Sequence, residues 1–538
     1  MRTQRQILCL VCVLGAASGG CQRGSTRAPS AAGGPPAALG TTIGALAEVV
    51  LPAPLAVEGY GLVGGLAGTG SGYCPPEVRA YLKQYVPTQL PHERVNVDEL
   101  INNRNTAVVA LEAMIPALPS VGERLDVRVS LLAGSEATSL HGGWLYKAEL
   151  VPRGTFGAQI RPLATVEGPV FIDSIGTVAS EPRRGWTLGG GRTLHEYTLL
   201  LRLRKPDYRV AGLIRNRLSE RYGPGIAQAL SPREVEVRIP ADYRRRKQRF
   251  ASTLSAMFLE VSDELLGARI NTYVKGLTGS GDRDGSEIAL EAIGRECAPM
   301  VSTLLNSPEA EVRLRAGRCL VGLGDSRGLT PLRDLALDPA SPYRLEALEA
   351  LMVSPRHEDA AALGRRLLRD AEVPMVLATY EHLRRMEDPA IVREAIGRGF
   401  TLEQVVQSSH KAVFVSRSGE PRIVLFGAPL RCRDNLFVES PDQTVILDAR
   451  TGQGHISVIR KHPKRPGVIG PVRSSLDLGD LIRILGSEPA TGPSGNLLSL
   501  GLPYGQVIAL LERVVAQEAV AAEFWAGPLP KIDLGVKK

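Results

Sequence analysis

Between about Ser286 and Ile396 the chain repeats itself every 31 residues. Leu314-Arg315-Ala316, Leu345-Glu346-Ala347 and Val376-Leu377-Ala378 recur at that spacing, as do Leu320 with Leu351 and Leu337 with Leu368. A fixed period of this size restricts the stretch to stacked helical hairpins, because each hairpin is too small to bury its own apolar face. Asp325, Pro355 and Asp388-Pro389 fall in the turns between the paired helices. Glu287–Leu305 reads as a degenerate fourth repeat.

The rest of the chain obeys other rules. Its 538 residues predict three to four domains at about 150 residues each. With 44% hydrophobic and 22% charged residues, a wholly disordered chain is excluded. No apolar run beyond the N-terminus reaches the ~18 residues of a membrane span, so a polytopic membrane protein is excluded too. Aromatics at 5% argue against a surface built to stack bases or sugars. The 57 glycines and 38 prolines favour many turns and short strands.

Met1–Gly20 has the form of an export signal: Arg2 and Arg5, then the apolar run Ile7–Ala17, too short to span a bilayer. Ser18-Gly19-Gly20-Cys21 resembles a bacterial lipobox, which implies cleavage and acylation at Cys21. The alternative is a plain secretory signal. Gln22, rather than Asp, after that cysteine resembles an outer-membrane sorting signal. Gln22–Gly40, rich in Ser, Ala, Gly and Pro, reads as a flexible tether. The net charge of +8 falls to +6 once Arg2 and Arg5 are removed, which does not demand nucleic acid. With Cys9, Cys12 and Cys21 assigned to export, Cys74, Cys297, Cys319 and Cys432 are left. They form no CxxC, and any disulfide pairing is unreadable.

Gly59, Gly61 and Gly64 spell GxGxxG, but more glycines and Pro75-Pro76 follow where a phosphate-binding helix would have to open. The segment reads instead as tight turns between short strands. Val127, Val129 and Leu131 alternate with polar residues as a half-buried strand. Leu199, Leu201 and Leu203 form another. Asp207 then caps a helix whose stripe is Val210, Ala211, Ile214 and Leu218, ended by Tyr222-Gly223-Pro224-Gly225. Val235, Val237 and Ile239 make the returning strand. Strands are also expected at Ala412–Val415, Arg422–Phe426, Thr444–Leu447 and Ile456–Ile459. A closing helix carries Val507, Ile508, Leu511, Val514 and Val515, with Ala519–Phe524 following.

Several of these segments resemble the flagellar P-ring protein family. Gly59 through Gly70 match its opening "G-Y-G-L-V-x-G-L-x-G-T-G". Asn105–Ala110, Pro116 through Ser130, and Ser139–Gly143 fit later strands. Leu201–Tyr208, Tyr222–Ala229 and Val235–Pro240 fit its strand–helix–strand unit, and Gly501–Phe524 fits its closing passage in pattern only. The repeat region resembles HEAT repeats, with a Gly324-Asp325 turn, and ordinary members of the P-ring family lack it. The resemblance implies a closed homo-oligomeric ring in the periplasm, a bushing around the flagellar rod that also meets L-ring proteins. It implies no cofactor, no metal and no nucleic acid.

The residues agree that an enzyme is not expected. His92, His141, His195, His357, His382, His410, His455 and His462 form no HExxH or HxH, and GxSxG and the P-loop are missing. His141 reads as solvated in a Gly turn. Asp282 and Asp284, in a Gly-rich loop at 278–285, lack calcium-loop spacing and read as solvated. The basic run Arg244, Arg245, Arg246, Lys247 and Arg249 is a solvated helix face or a contact with an acidic rod, cell wall or lipid headgroups.

The expected fold class is α+β: small β-rich domains with a strand–helix–strand unit, plus an inserted α-solenoid. The expected segments are 1–20 (signal), 21–40 (tether), 41–190 and 191–285 (P-ring-like), 286–400 (solenoid) and 401–538 (a β-rich module ending in a helix). The expected function is a structural component of the P ring. The alternative is an outer-membrane-anchored scaffold that binds a protein partner through its repeats.

Overall fold

The computed structural model describes residues 39–89, 96–157, 160–176, 181–260, 262–353, 357–461, 471–492 and 497–532. The expected signal, the tether as far as residue 38, Cys21, His92, Pro355 and His462 lie outside these residues. The fold is α+β. Among the described residues no helix is long and apolar enough to cross a membrane. The described chain divides into two compact units: Pro54–His195 with Pro389 onward, and Leu39–Ala53 with Glu196–Asp388.

The first unit is built on a closed six-stranded barrel. Its order around the ring is Leu55–Gly64, Ala107–Ile115, Arg124–Leu131, Arg184–Thr193, Ala164–Pro169 and Trp144–Pro152, every neighbour antiparallel. Val127 and Val129 point into it, as their alternation requires. The GxGxxG glycines are not in turns. All three lie inside the single strand Leu55–Gly64, which closes the barrel against Trp144–Pro152 with a register shift between Glu58 and Val63. A Cβ at Gly59 would sit 2.2 Å from the Glu149 carbonyl oxygen, and one at Gly61 would sit 2.9 Å from Leu145. These glycines let two strands approach more closely than side chains allow.

The C-terminal part of this unit carries two sheets. One runs in the order Val392–Ile396, Phe400–Val405, Arg422–Phe426, Ala412–Val415, Glu523–Ala526; the other is the antiparallel set Leu436–Glu439, Val445–Ala449, Ile456–Arg460, Val472–Ser474. Helices Leu478–Gly486 and Tyr504–Ala516 pack into their core, the latter through Val507, Ile508, Leu511 and Val514. The described chain does not end on a helix, as its pattern suggested. The helix stops at Ala516, and Glu523–Ala526 returns as a strand parallel to Ala412–Val415, giving that strand a second neighbour.

Barrel and C-terminal sheets share one apolar cluster, in which Phe171 and Leu188 join Leu402, Val413 and Tyr504. The Tyr504 hydroxyl donates to the Ser416 carbonyl at 2.7 Å. A Cβ at Gly505 would meet the Ile172 carbonyl oxygen at 2.5 Å, so glycine permits this approach. His141 is half-buried rather than solvated, and burial pulls its pKa down. The Gly142 turn that follows it has φ +71°.

The second unit begins with a four-stranded sheet in the order Ala47–Val50, Leu199–Leu203, Glu234–Val237, Ala227–Ala229. Helix Tyr208–Tyr222 lies on it through Ala211, Ile214 and Leu218. The Asp207 carboxylate accepts from Arg209 N at 2.7 Å and Val210 N at 3.3 Å, and Gly223, at φ +103°, ends the helix. Helices Lys247–Ala256, Asp263–Thr278, Arg283–Ile293, Ala310–Gly322, Leu329–Leu337, Arg344–Met352, His357–Leu367 and Val373–Arg385 follow. Ala316, Ala347 and Ala378, spaced 31 residues apart, are all buried where helices meet. The helices stop at Arg385. Val392–Ile396, within the stretch whose period suggested helix up to about 400, is a strand paired with Phe400–Val405.

Candidate interaction surface

The basic run does not form one solvated face. Tyr243 and Phe250, which flank it, are buried, and their rings meet at 5.0 Å. Apolar anchors at both ends turn part of the run inward. Arg244 and Arg245 are exposed in the turn before helix Lys247–Ala256, and Lys247 is half-buried at its start. Arg246 and Arg249 are directed at carboxylates.

Those carboxylates come from helix Arg283–Ile293, where Glu287 and Glu291 stand one turn apart on the buried face with Leu290. Arg249 donates through Nη2 to Glu287 at 2.6 Å and through Nε to Glu291 at 2.7 Å. Arg318 Nε, one helix further on, reaches Glu287 at 2.6 Å, and Arg315 lies 3.2 Å from the same carboxylate. Arg246 stands 3.8 Å from Glu291, and the Tyr243 hydroxyl donates to it at 3.3 Å. Glu287 has no exposed surface and Glu291 almost none.

Burial alone would raise the Glu287 pKa; Arg249 and Arg318 outweigh it and hold the carboxyl below its ordinary range. Burial alone would lower Arg249; Glu287 and Glu291 reverse the sign and hold it above its ordinary value. Each charge is therefore retained only because its partners are in place. The cluster ties the basic helix to the first two long helices of the repeat region. Sequence reading missed Glu287 and Glu291. Their signal was two acids at i and i+4 in register with the apolar residues of an amphipathic helix, where a solvated face would carry them opposite.

In front of this cluster lies a groove of about 350 Å³. It is lined by Arg245 and Arg246 from the basic turn, by Arg318 of helix Ala310–Gly322, and by Glu346, Glu349, His382 and Arg385 from later helices. His382 is buried. Burial first, then Arg385 and Arg245, pulls its pKa down to about 4, so the imidazole is neutral at ordinary pH. Burial and the neighbouring Glu346 push Glu349 up.

In the Gly-rich loop at 278–285 Asp282 and Asp284 are both exposed, as expected. Asp282 caps helix Arg283–Ile293, accepting from Gly285 N at 2.8 Å, and Asp284 is paired with Arg315. Among the described residues, no group of three or more His, Cys, Asp or Glu side chains is placed to hold a metal ion. Cys297 and Cys319 are buried in one apolar cluster, Cys432 is buried elsewhere, and Cys74 is half-buried.

Residues 43–271 match the family described as flagellar P-ring protein. Flagellar P-ring protein of Shewanella woodyi is 31% identical over 237 residues, 40% of this chain and 62% of that protein. Flagellar P-ring protein 1 of Photobacterium profundum is 31% identical over 242 residues, 40% of this chain and 61% of the relative. The relative from Anaeromyxobacter sp. (strain K) is 29% identical over 249 residues, 43% of this chain and 64% of its own length. The chain thus spans less than two thirds of the curated relatives it matches. The match takes in the barrel, the four-stranded sheet with its helix, and the basic helix; it ends inside helix Asp263–Thr278.

Proposed function

We propose that this chain, whose residues 43–271 match the flagellar P-ring protein family, is a structural component of the flagellar basal body P ring. One observation carries the reading: the family match runs without a break through two separately folded parts, the barrel and the strand–helix–strand sheet. In this reading many copies close a ring in the periplasm around the rod. Each presents one face to the next copy and a different face to the last, and the contacts close by rotation. The ring acts as a bearing surface, with no bond made or broken. Cys21, if acylated, anchors each copy to the outer membrane. Arg244 and Arg245, exposed beside the sheet, are the members of the basic run free to meet a neighbour or the rod.

Electron microscopy of the purified mature chain tests the ring: closed annuli are expected, and a monodisperse monomer that never assembles in the presence of rod overturns it. A fatty-acid probe should label the wild-type chain and not Cys21→Ser.

A second reading is favoured by the helices beyond residue 271, where the family match ends. In it the chain is an anchored scaffold that keeps the family body and holds a protein partner on the repeat helices. Motility distinguishes the two: loss of the gene abolishes swimming in the first and spares it in the second.

A further inference from the structure

We infer that the groove between the basic turn and the repeat helices is a docking site for an acidic polypeptide segment, which lays a carboxylate side chain between Arg245 and Arg385. The inference rests on the groove's own chemistry and does not require ring assembly.

Three observations converge on it. Arg245 and Arg385, from different elements lining the groove, are exposed and have no ion-pair partner among the described residues, while Arg249 and Arg318, which line it too, are engaged by Glu287. The groove thus carries positive charge on its exposed side chains and compensated charge on its less exposed ones. That arrangement draws an anion in while the less exposed arginines keep their partners in its absence.

Second, two buried nitrogens in the lining have no hydrogen-bond partner among the described residues: Arg246 Nε and His382 Nε2. Buried polar groups are almost always satisfied, so two such atoms lining one groove mark an unmet demand that a polar ligand can fill. His382 is nine-tenths buried and neutral, so it offers a hydrogen bond without adding charge.

Third, Glu346 and Glu349 line the groove together with Arg385. Two acids beside the arginines disfavour a doubly charged phosphate more than a singly charged carboxylate. They also supply acceptors for the backbone N–H groups that accompany a carboxylate in a peptide. A volume of about 350 Å³ suits a few side chains of a strand or turn.

The test uses the mature full chain and a fluorescein-labelled ten-residue peptide of alternating Glu and Ser, read by anisotropy. Saturable binding that weakens with salt is expected. Arg245→Glu with Arg385→Glu should weaken it at least tenfold and create binding to the matching Lys/Ser peptide. Arg209→Glu, on the exposed side of helix Tyr208–Tyr222, should bind as the parent does. If the double variant does not fold by circular dichroism, Arg245→Gln with Arg385→Gln replaces it, with the same tenfold loss expected. Absence of binding, equal binding by parent and variant, or displacement of the peptide by equimolar inorganic phosphate overturns the proposal. So does tighter Arg245-dependent binding to phosphatidylglycerol vesicles than to the peptide, which would reassign the groove to lipid.

Discussion

Asp126, on a barrel strand, accepts a hydrogen bond from the backbone N–H of Gly419 at 2.9 Å, across 293 residues of sequence. The same oxygen accepts from Gly189 N at 2.7 Å. Gly189 has φ +56°, and a Cβ there would approach the Gly419 carbonyl to 2.9 Å. One carboxylate and two glycines thus fasten the barrel to the C-terminal sheets, beside the Arg417–Asp173 ion pair at 3.1 Å.

Asp126→Ala should destabilise this unit by about 1–3 kcal/mol, because two buried N–H groups lose their acceptor. Asp126→Asn, which keeps an acceptor oxygen, should stay within about 1 kcal/mol of the parent. Tryptophan fluorescence isolates the measurement: Trp144, Trp186 and Trp525 are the chain's three tryptophans and all lie in this unit. Burial, only partly offset by the Gly419 and Gly189 N–H groups, raises the Asp126 pKa. The folded unit therefore holds this proton more tightly than the unfolded chain, and this residue's contribution weakens as pH rises through the raised value. Asp126→Asn should remove that slope.

Glu287 has the opposite sign. Its folded pKa lies below the unfolded value, so its contribution is present above about pH 4.3 and is lost as pH falls through the folded pKa. Glu287→Ala strands Arg249, Arg315 and Arg318 around an empty position and should cost about 3–5 kcal/mol. Glu287→Gln should cost less and flatten the acid limb. Circular dichroism at 222 nm follows the helices concerned. A loss under about 1 kcal/mol for Glu287→Ala would mean that the arginines are solvated rather than paired.

Gly59→Ala places a methyl 2.2 Å from the Glu149 carbonyl, so the closing strands must part. A loss of about 1–3 kcal/mol or more in the fluorescence transition is expected. Gly212→Ala, inside helix Tyr208–Tyr222 with open space around its Cβ, should instead stabilise the second unit by about 0.5–1 kcal/mol.

In a chain lacking residues 1–21, thiol reagents at pH 8 should modify half-buried Cys74, whose thiol pKa burial also raises, ahead of Cys297, Cys319 and Cys432, which react only after denaturation. Burial pushes the Cys432 thiol up to about 12, and the Cys297 thiol and burial hold Cys319 well above the usual thiol range. More than one fast thiol in the native chain would contradict the burial of these side chains.

The elements were legible wherever short-range pattern decides them. Alternation at Val127 and Val129 marks a strand, Asp207 and Gly223 bracket a helix, and the 31-residue period marks the helices that bury Ala316, Ala347 and Ala378. These follow from backbone geometry and the burial of one face, which a local sequence carries in full. The P-ring resemblance was legible for the same reason, resting on contiguous motifs.

What only the tertiary structure decided concerns residues whose role depends on a distant partner. The glycines at 59, 61 and 64 look alike whether they make turns or admit a neighbouring strand; the position of Glu149 settles it. Arg249 and Arg245 stand four residues apart in one basic run. One is held against Glu287 and the other is exposed at the lining of a groove, because Phe250 and Tyr243 turn the backbone and a helix some 40 residues later brings the acids. Ala519 onward reads as helix until the strand Ala412–Val415 offers its backbone hydrogen bonds. Charge pairing, close approach and strand pairing are properties of two segments at once, and a single stretch of sequence specifies only one of them.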